Sequence, residues 1–144
     1  MRAISAEVKR MINTKRLLLA WAVVFVVLFV YDFAVYAVAL NSFHAQFPKL
    51  LKPMDQLPQL RMILTGALNW ALVTVLYALF ARGRASSLMT GIVFGVLMGL
   101  IASWIPQATF KMLLIEWPFY LHWAAAGFGE YVVAGIVLGL VYRD

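Results

Sequence analysis

Residues 17–40 read LLLAWAVVFVVLFVYDFAVYAVAL, and in that whole run Asp32 is the one residue carrying a formal charge. About 20 mostly apolar residues suffice to cross the hydrocarbon core of a bilayer, so this stretch reads as a spanning helix with an acid inside it. Its basic front and the tripeptide Ala37-Val38-Ala39 imitate a secretory signal with a cleavage site. A signal core runs roughly 7 to 15 residues, however, and holds no carboxylate. A retained anchor is the expectation.

Outward from this run, three more apolar stretches follow at 62–80, 88–105 and 119–142. Of the 144 residues 65% are hydrophobic and 12% charged, the charges gathering at the ends and between the apolar runs. The expected fold is an all-α membrane protein: an antiparallel four-helix transmembrane bundle, with residues 1–144 forming a single integral membrane domain. In residues 1–16, Ile4, Val8, Met11 and Ile12 recur at helical spacing among basic residues. This suits an interfacial amphipathic helix on the inner leaflet, although a plain basic flank that orients the first span explains it more simply. The connections at 41–61 and 106–118 are expected to hug the outer interface, the first broken by Pro48, Pro53 and Pro58.

Basic residues set the threading. Arg2, Lys9, Arg10, Lys15, Arg16, Arg82, Arg84 and Arg143 fall on one side, against Lys49, Lys52, Arg61 and Lys111 on the other. Both termini are therefore expected in the cytoplasm of a plasma membrane, the bacterial inner membrane being the natural setting. The net charge of +6 is topology; basic residues flanking spans do not form the one-sided patch that nucleic acid requires. Expected partners are the lipid bilayer and a membrane protein or a second copy of the chain. Cysteine is absent, which removes disulfides, thiolate-held clusters and thiol nucleophiles. No phosphate loop and no metal-ligand spacing occurs, so neither a cofactor nor a metal is expected.

Ser87, Gly91, Gly95, Gly99 and Ser103 recur every fourth residue through the third stretch, and Gly135 and Gly139 form a shorter pair in the fourth. Small residues at this spacing let helix backbones approach closely. Contact inside the bundle is favoured over self-association as their use. Around the fourth helix, Gly135 and Gly139 lie roughly 140 to 180° from Glu130, which separates a packing face from a charged one.

Glu130 is the second intramembrane acid. Counted from the outer helix ends at 1.5 Å per residue, Asp32 is about 12 Å deep, Asn69 about 10 Å, His122 about 5 Å and Glu130 about 16 Å. Tyr36 lies one turn from Asp32 on the same face; Thr65 and Asn69 make a brief polar patch that Thr74 does not extend. An ionised side chain at such depth costs several kcal/mol unless it is paired, wet or neutralised. The expectation is an outward-facing acidic cavity built from Asp32, Glu130, Asn69, Tyr36, His122 and Thr65 that binds or transports a proton, a cation or a cationic small molecule. The competing structural explanation is a hydrogen-bonded network, with Asp32 on Tyr36, Asn69 or Arg61, and Glu130 on Thr74. Two further alternatives are an accessory subunit docking through its glycine faces, and, less favoured, a lipid- or quinone-modifying enzyme with an acid as base and His122 as proton carrier. A haem held between His44 and His122 is set aside, since nothing fixes their spacing. Trp104, Trp117, Tyr120 and Trp123 read as an aromatic belt.

Overall fold

The computed structural model describes residues 13–46, 58–84, 87–104 and 117–142, and these are almost wholly helical. Helix α1 (Thr14–Asp32) starts where the Asn13 side chain accepts a hydrogen bond from the Arg16 backbone N–H at 3.2 Å, a standard way of satisfying an unpaired first-turn donor. It runs on without a break into a π-helical segment, Phe33–Ala39. A single turn, α2 (Asn41–His44), follows. Helix α3 (Gln59–Phe80) begins directly after Pro58. Helix α4 (Leu88–Gly99) is capped by Ser87, whose hydroxyl accepts from the Thr90 backbone N–H at 3.2 Å, and continues as a second π-helical segment, Leu100–Trp104. Helix α5 (Trp117–Val141) carries Pro118 in its first turn, where the missing proline N–H forfeits no helical bond. Between α3 and α4 the chain reverses through Gly83, whose φ of +70° is the left-handed conformation glycine adopts freely.

Thr14–Ala39, Gln59–Phe80 and Trp117–Val141 are long and apolar enough to cross a membrane; Leu88–Ser103 is apolar but shorter. Three candidate spans and one short apolar helix thus stand where four full spans are expected. Helices α3 and α5 also begin earlier than the apolar runs that announce them, at Gln59 and Trp117. Hydropathy marks where water stops, whereas the helix is set by backbone hydrogen bonding and proline, and polar residues such as Gln59 and Arg61 sit readily in a helix end at the interface. The expected interfacial helix, most of the first outer connection and nearly all of the second lie outside the described residues.

Packing is tightest between α4 and α5, which pair with residue numbers rising on one as they fall on the other. Ser87 lies against Gly139, Gly91 against Gly135 and Gly139, Gly95 against the backbone of Tyr131 and Val132, Gly99 against Phe128, and Ser103 against Gly127. A Cβ placed on Gly91 would run into the carbonyl of Gly135, and one on Gly135 into the carbonyl of Gly91. Around this pair the core is finished by large side chains. Ala20, Val24 and Leu28, one turn apart on α1, are fully enclosed, as their shared face requires. Tyr77 meets Phe94 edge-on at 5.2 Å and Tyr142 at 6.1 Å, an arrangement that sets positive ring edges against negative ring faces. The indole N–H of Trp21 donates to the Ala67 carbonyl at 2.9 Å and ties α1 to α3. The outward surface, including Val26, Phe29, Phe33, Leu64, Leu68 and Leu72, is apolar and exposed, as a face meeting lipid should be.

The glycines are not equivalent. Gly91→Ala forces backbone against backbone and should lower the unfolding midpoint in detergent, at a cost of about 1–3 kcal/mol. Nothing lies within 4 Å of a Cβ at Gly66, so Gly66→Ala should leave the midpoint unchanged or raise it, alanine being about 1 kcal/mol the better helix former. Thermal unfolding of the two variants side by side checks this.

Candidate functional site

Asp32 is the last residue of α1 before the winding changes. In the π segment the Leu40 N–H reaches back five residues to the Val35 carbonyl at 2.8 Å, and no residue of Phe33–Ala39 is buried. Wider turns of this kind occur often beside functional groups. Asp32 itself is partly buried, and its Oδ1 is enclosed without a hydrogen-bond partner among the described residues. Such an orphaned acceptor is uncommon and calls for an explanation.

Glu130, on α5, is partly buried and lies within electrostatic reach of Asp32. Three phenols lie within electrostatic reach of the acids. Tyr31 and Tyr36 feel both carboxylates, and Tyr131 feels Glu130. Asn69 enters from α3, its side chain within hydrogen-bonding reach of the Tyr131 hydroxyl. Aromatic rings close the cluster at two points: Trp70 packs on Tyr131 with centroids 5.3 Å apart, and Trp123 on Tyr36 at 5.4 Å. Three helices thus converge, α1 with its π extension giving an acid and two phenols, α5 an acid and one phenol, and α3 an amide.

Of the six side chains singled out in the sequence, Asp32, Glu130, Asn69 and Tyr36 meet in this cluster. Thr65 points elsewhere: it is exposed, and its hydroxyl donates to the Arg61 carbonyl of its own helix at 2.7 Å. His122 is also exposed, with Nδ1 2.7 Å from the Pro118 carbonyl and its ring stacked on Phe43 at 4.2 Å. Thr74, the suggested partner of Glu130, is fully buried and donates to the Trp70 carbonyl at 2.7 Å. Arg61 is exposed. His44 closes α2 and Trp104 the second π segment. Of the remaining belt residues, Trp117 stacks on Tyr120 at 5.4 Å and Trp123 packs on Phe119 at 5.4 Å.

Sequence reasoning missed Tyr31 and Tyr131. Each adjoins an acid, Tyr31 before Asp32 and Tyr131 after Glu130, and adjacent helical residues point about 100° apart, so position along the helix alone does not single them out. The signal lay in the symmetry of the two dipeptides, Tyr-Asp on one helix and Glu-Tyr on the other. Among the described residues, no group of three or more His, Cys, Asp or Glu side chains is placed to hold a metal. A scan against protein-family models and searches of curated proteins and of solved structures give no match to this chain.

Because the chain has no cysteine, paired cysteine variants report the cluster without background. A short bifunctional thiol reagent should link Asp32→Cys to Glu130→Cys in membranes and leave Thr65→Cys and Glu130→Cys unlinked. Equal linking of both pairs would contradict the placement of Thr65 away from the acids.

Proposed function

We propose that this is a small multi-pass membrane protein whose acid pair binds a cation or a cationic small molecule in exchange for protons. The observation that carries the reading is the Oδ1 of Asp32, buried without a hydrogen-bond donor among the described residues and within electrostatic reach of a second carboxylate. An acceptor in that position is completed by a proton, a metal cation or an ammonium group, and the neighbouring carboxylate gives the same species a second ligand. Tyr31, Tyr36 and Tyr131 add phenol oxygens as acceptors, and their ring faces attract positive charge. Two nearby acids do not both stay ionised cheaply in low-dielectric surroundings, so arrival of a cation favours release of a proton and its departure favours uptake. This is the linkage a proton-coupled exchanger uses.

The same proposal includes the threading. Eight basic residues lie towards the termini and in the α3–α4 turn, and four lie at the opposite end, Lys49, Lys52 and Lys111 between helices and Arg61 in the first turn of α3, which supports a plasma membrane with both termini cytoplasmic. It treats α4 with its π extension as the fourth crossing of an antiparallel bundle. At about 1.5 Å per residue that helix falls short of a hydrocarbon core of roughly 30 Å, a mismatch bilayers absorb by local thinning. The accessory-subunit alternative draws less support, since the glycine faces it relies on are occupied by α4 and α5 themselves. The enzyme alternative relies on His122 beside an acid, and His122 is turned toward Phe43.

Reconstituted vesicles carrying an internal pH dye provide the test. An imposed gradient of a lipophilic organic cation should drive proton movement in the native protein. Asp32→Asn and Glu130→Gln should each reduce it to the level of empty vesicles, while Thr65→Ala and His122→Ala keep it. Flux that persists in both acid variants overturns the proposal.

A further inference from the structure

The first and last helices touch beside the acids through one side chain and one notch. The Tyr31 hydroxyl donates to the Ala126 carbonyl at 2.9 Å, the carbonyl one turn before Glu130. It fits there because residue 129 has no side chain: a Cβ on Gly129 would lie 2.5 Å from the Tyr31 hydroxyl and 3.5 Å from its Cζ. The two partners of this joint are the immediate neighbours of the two acids, Tyr31 of Asp32 and Gly129 of Glu130. On the outer side of the joint, the π segment has no buried residue; on its inner side, Leu28 is fully enclosed. The joint stands at the level of the carboxylates, where the enclosed part of the first helix gives way to a segment with no buried residue.

We infer that Tyr31, seated in the Gly129 notch, is the positioning residue of the acid site, fixing the separation and mutual orientation of Asp32 and Glu130. The inference rests on the reading of Asp32 and Glu130 as one site, and adds the element that holds them together. The groups facing the pair are Tyr31 and Tyr36 from the first helix, Tyr131 from the last, and the uncharged Asn69 from α3. The Tyr31 hydroxyl reaches the backbone of the opposite helix one turn before Glu130.

Two measurements on the protein in lipid nanodiscs test this. The first is packing. Gly129→Ala collides with the hydroxyl, the far end of the Tyr31 ring, so removing that hydroxyl should relieve it. Gly129→Ala alone should lower the unfolding midpoint, and the Tyr31→Phe/Gly129→Ala double variant should recover most of the loss. Simple addition of the two single effects would overturn the joint. The second is a readout that mere packing does not move. Infrared titration of the Glu130 carboxyl, assigned by its loss in Glu130→Gln, is compared with and without Asp32→Asn. In the native background Asp32→Asn should displace the midpoint by about one pH unit or more, the mark of coupled acids. In the Tyr31→Phe background the displacement should fall to less than half of that. An equal displacement in both backgrounds overturns the role of Tyr31 and leaves the acid pair standing. No displacement in either overturns both.

Discussion

The close contact between α4 and α5 is the constraint on which the remaining arrangement depends. Lipid tails solvate leucine as well as another helix does, so apolar burial gives little drive for helices to associate in a membrane. What remains is dispersion at short range, which requires backbones to approach within the reach of a missing Cβ, and this the facing Gly91 and Gly135 allow. With α4 seated on the glycine face of α5, the orientation of α5 about its own axis is set. Its opposite face then presents Gly129 and Glu130 toward α1, where Tyr31 and Asp32 receive them.

Seen this way, the two kinds of glycine in α5 have different tasks. Gly135 and Gly139 bring a whole helix close, along a line of contacts with Ser87, Gly91 and Gly95. Gly129 admits one hydroxyl. The first contact is long and apolar and gives rigidity. The second is a single polar bond, set where a carboxylate lies on each side, so a small change in helix spacing there alters how strongly the two charges feel one another.

Much of the fold was legible in the residues because membrane insertion is governed by length and polarity, and both are written directly in the chain. Residues 17–40 and 119–142 announced helices by composition alone, and the four-residue spacing of Gly91, Gly95 and Gly99 announced a packing face. The short span of α4 was less legible, since its helix bounds depend on hydrogen bonding as well as hydropathy. At the site, depth counting placed Asp32, Asn69 and Glu130 together, but depth carries no azimuth. That is why Thr65 and His122 were counted in: each lies at a suitable depth on a face that turns away, the one bonded to Arg61, the other stacked on Phe43. Tyr31 escapes notice for a different reason: depth and one-turn spacing do not single out a residue directly adjacent to Asp32.

The change of winding at Phe33 separates Asp32 from what happens further along the chain. A π turn holds one more residue between bonded partners than an α turn does, so the stretch from Phe33 to Ala39 keeps slack that can be taken up or let out. A residue gained or lost there is absorbed by rewinding the segment, and the helix below Asp32, anchored by Ala20, Val24 and Leu28, need not rotate. The carboxylate of Asp32 thereby keeps its bearing through changes of winding in the segment that follows it.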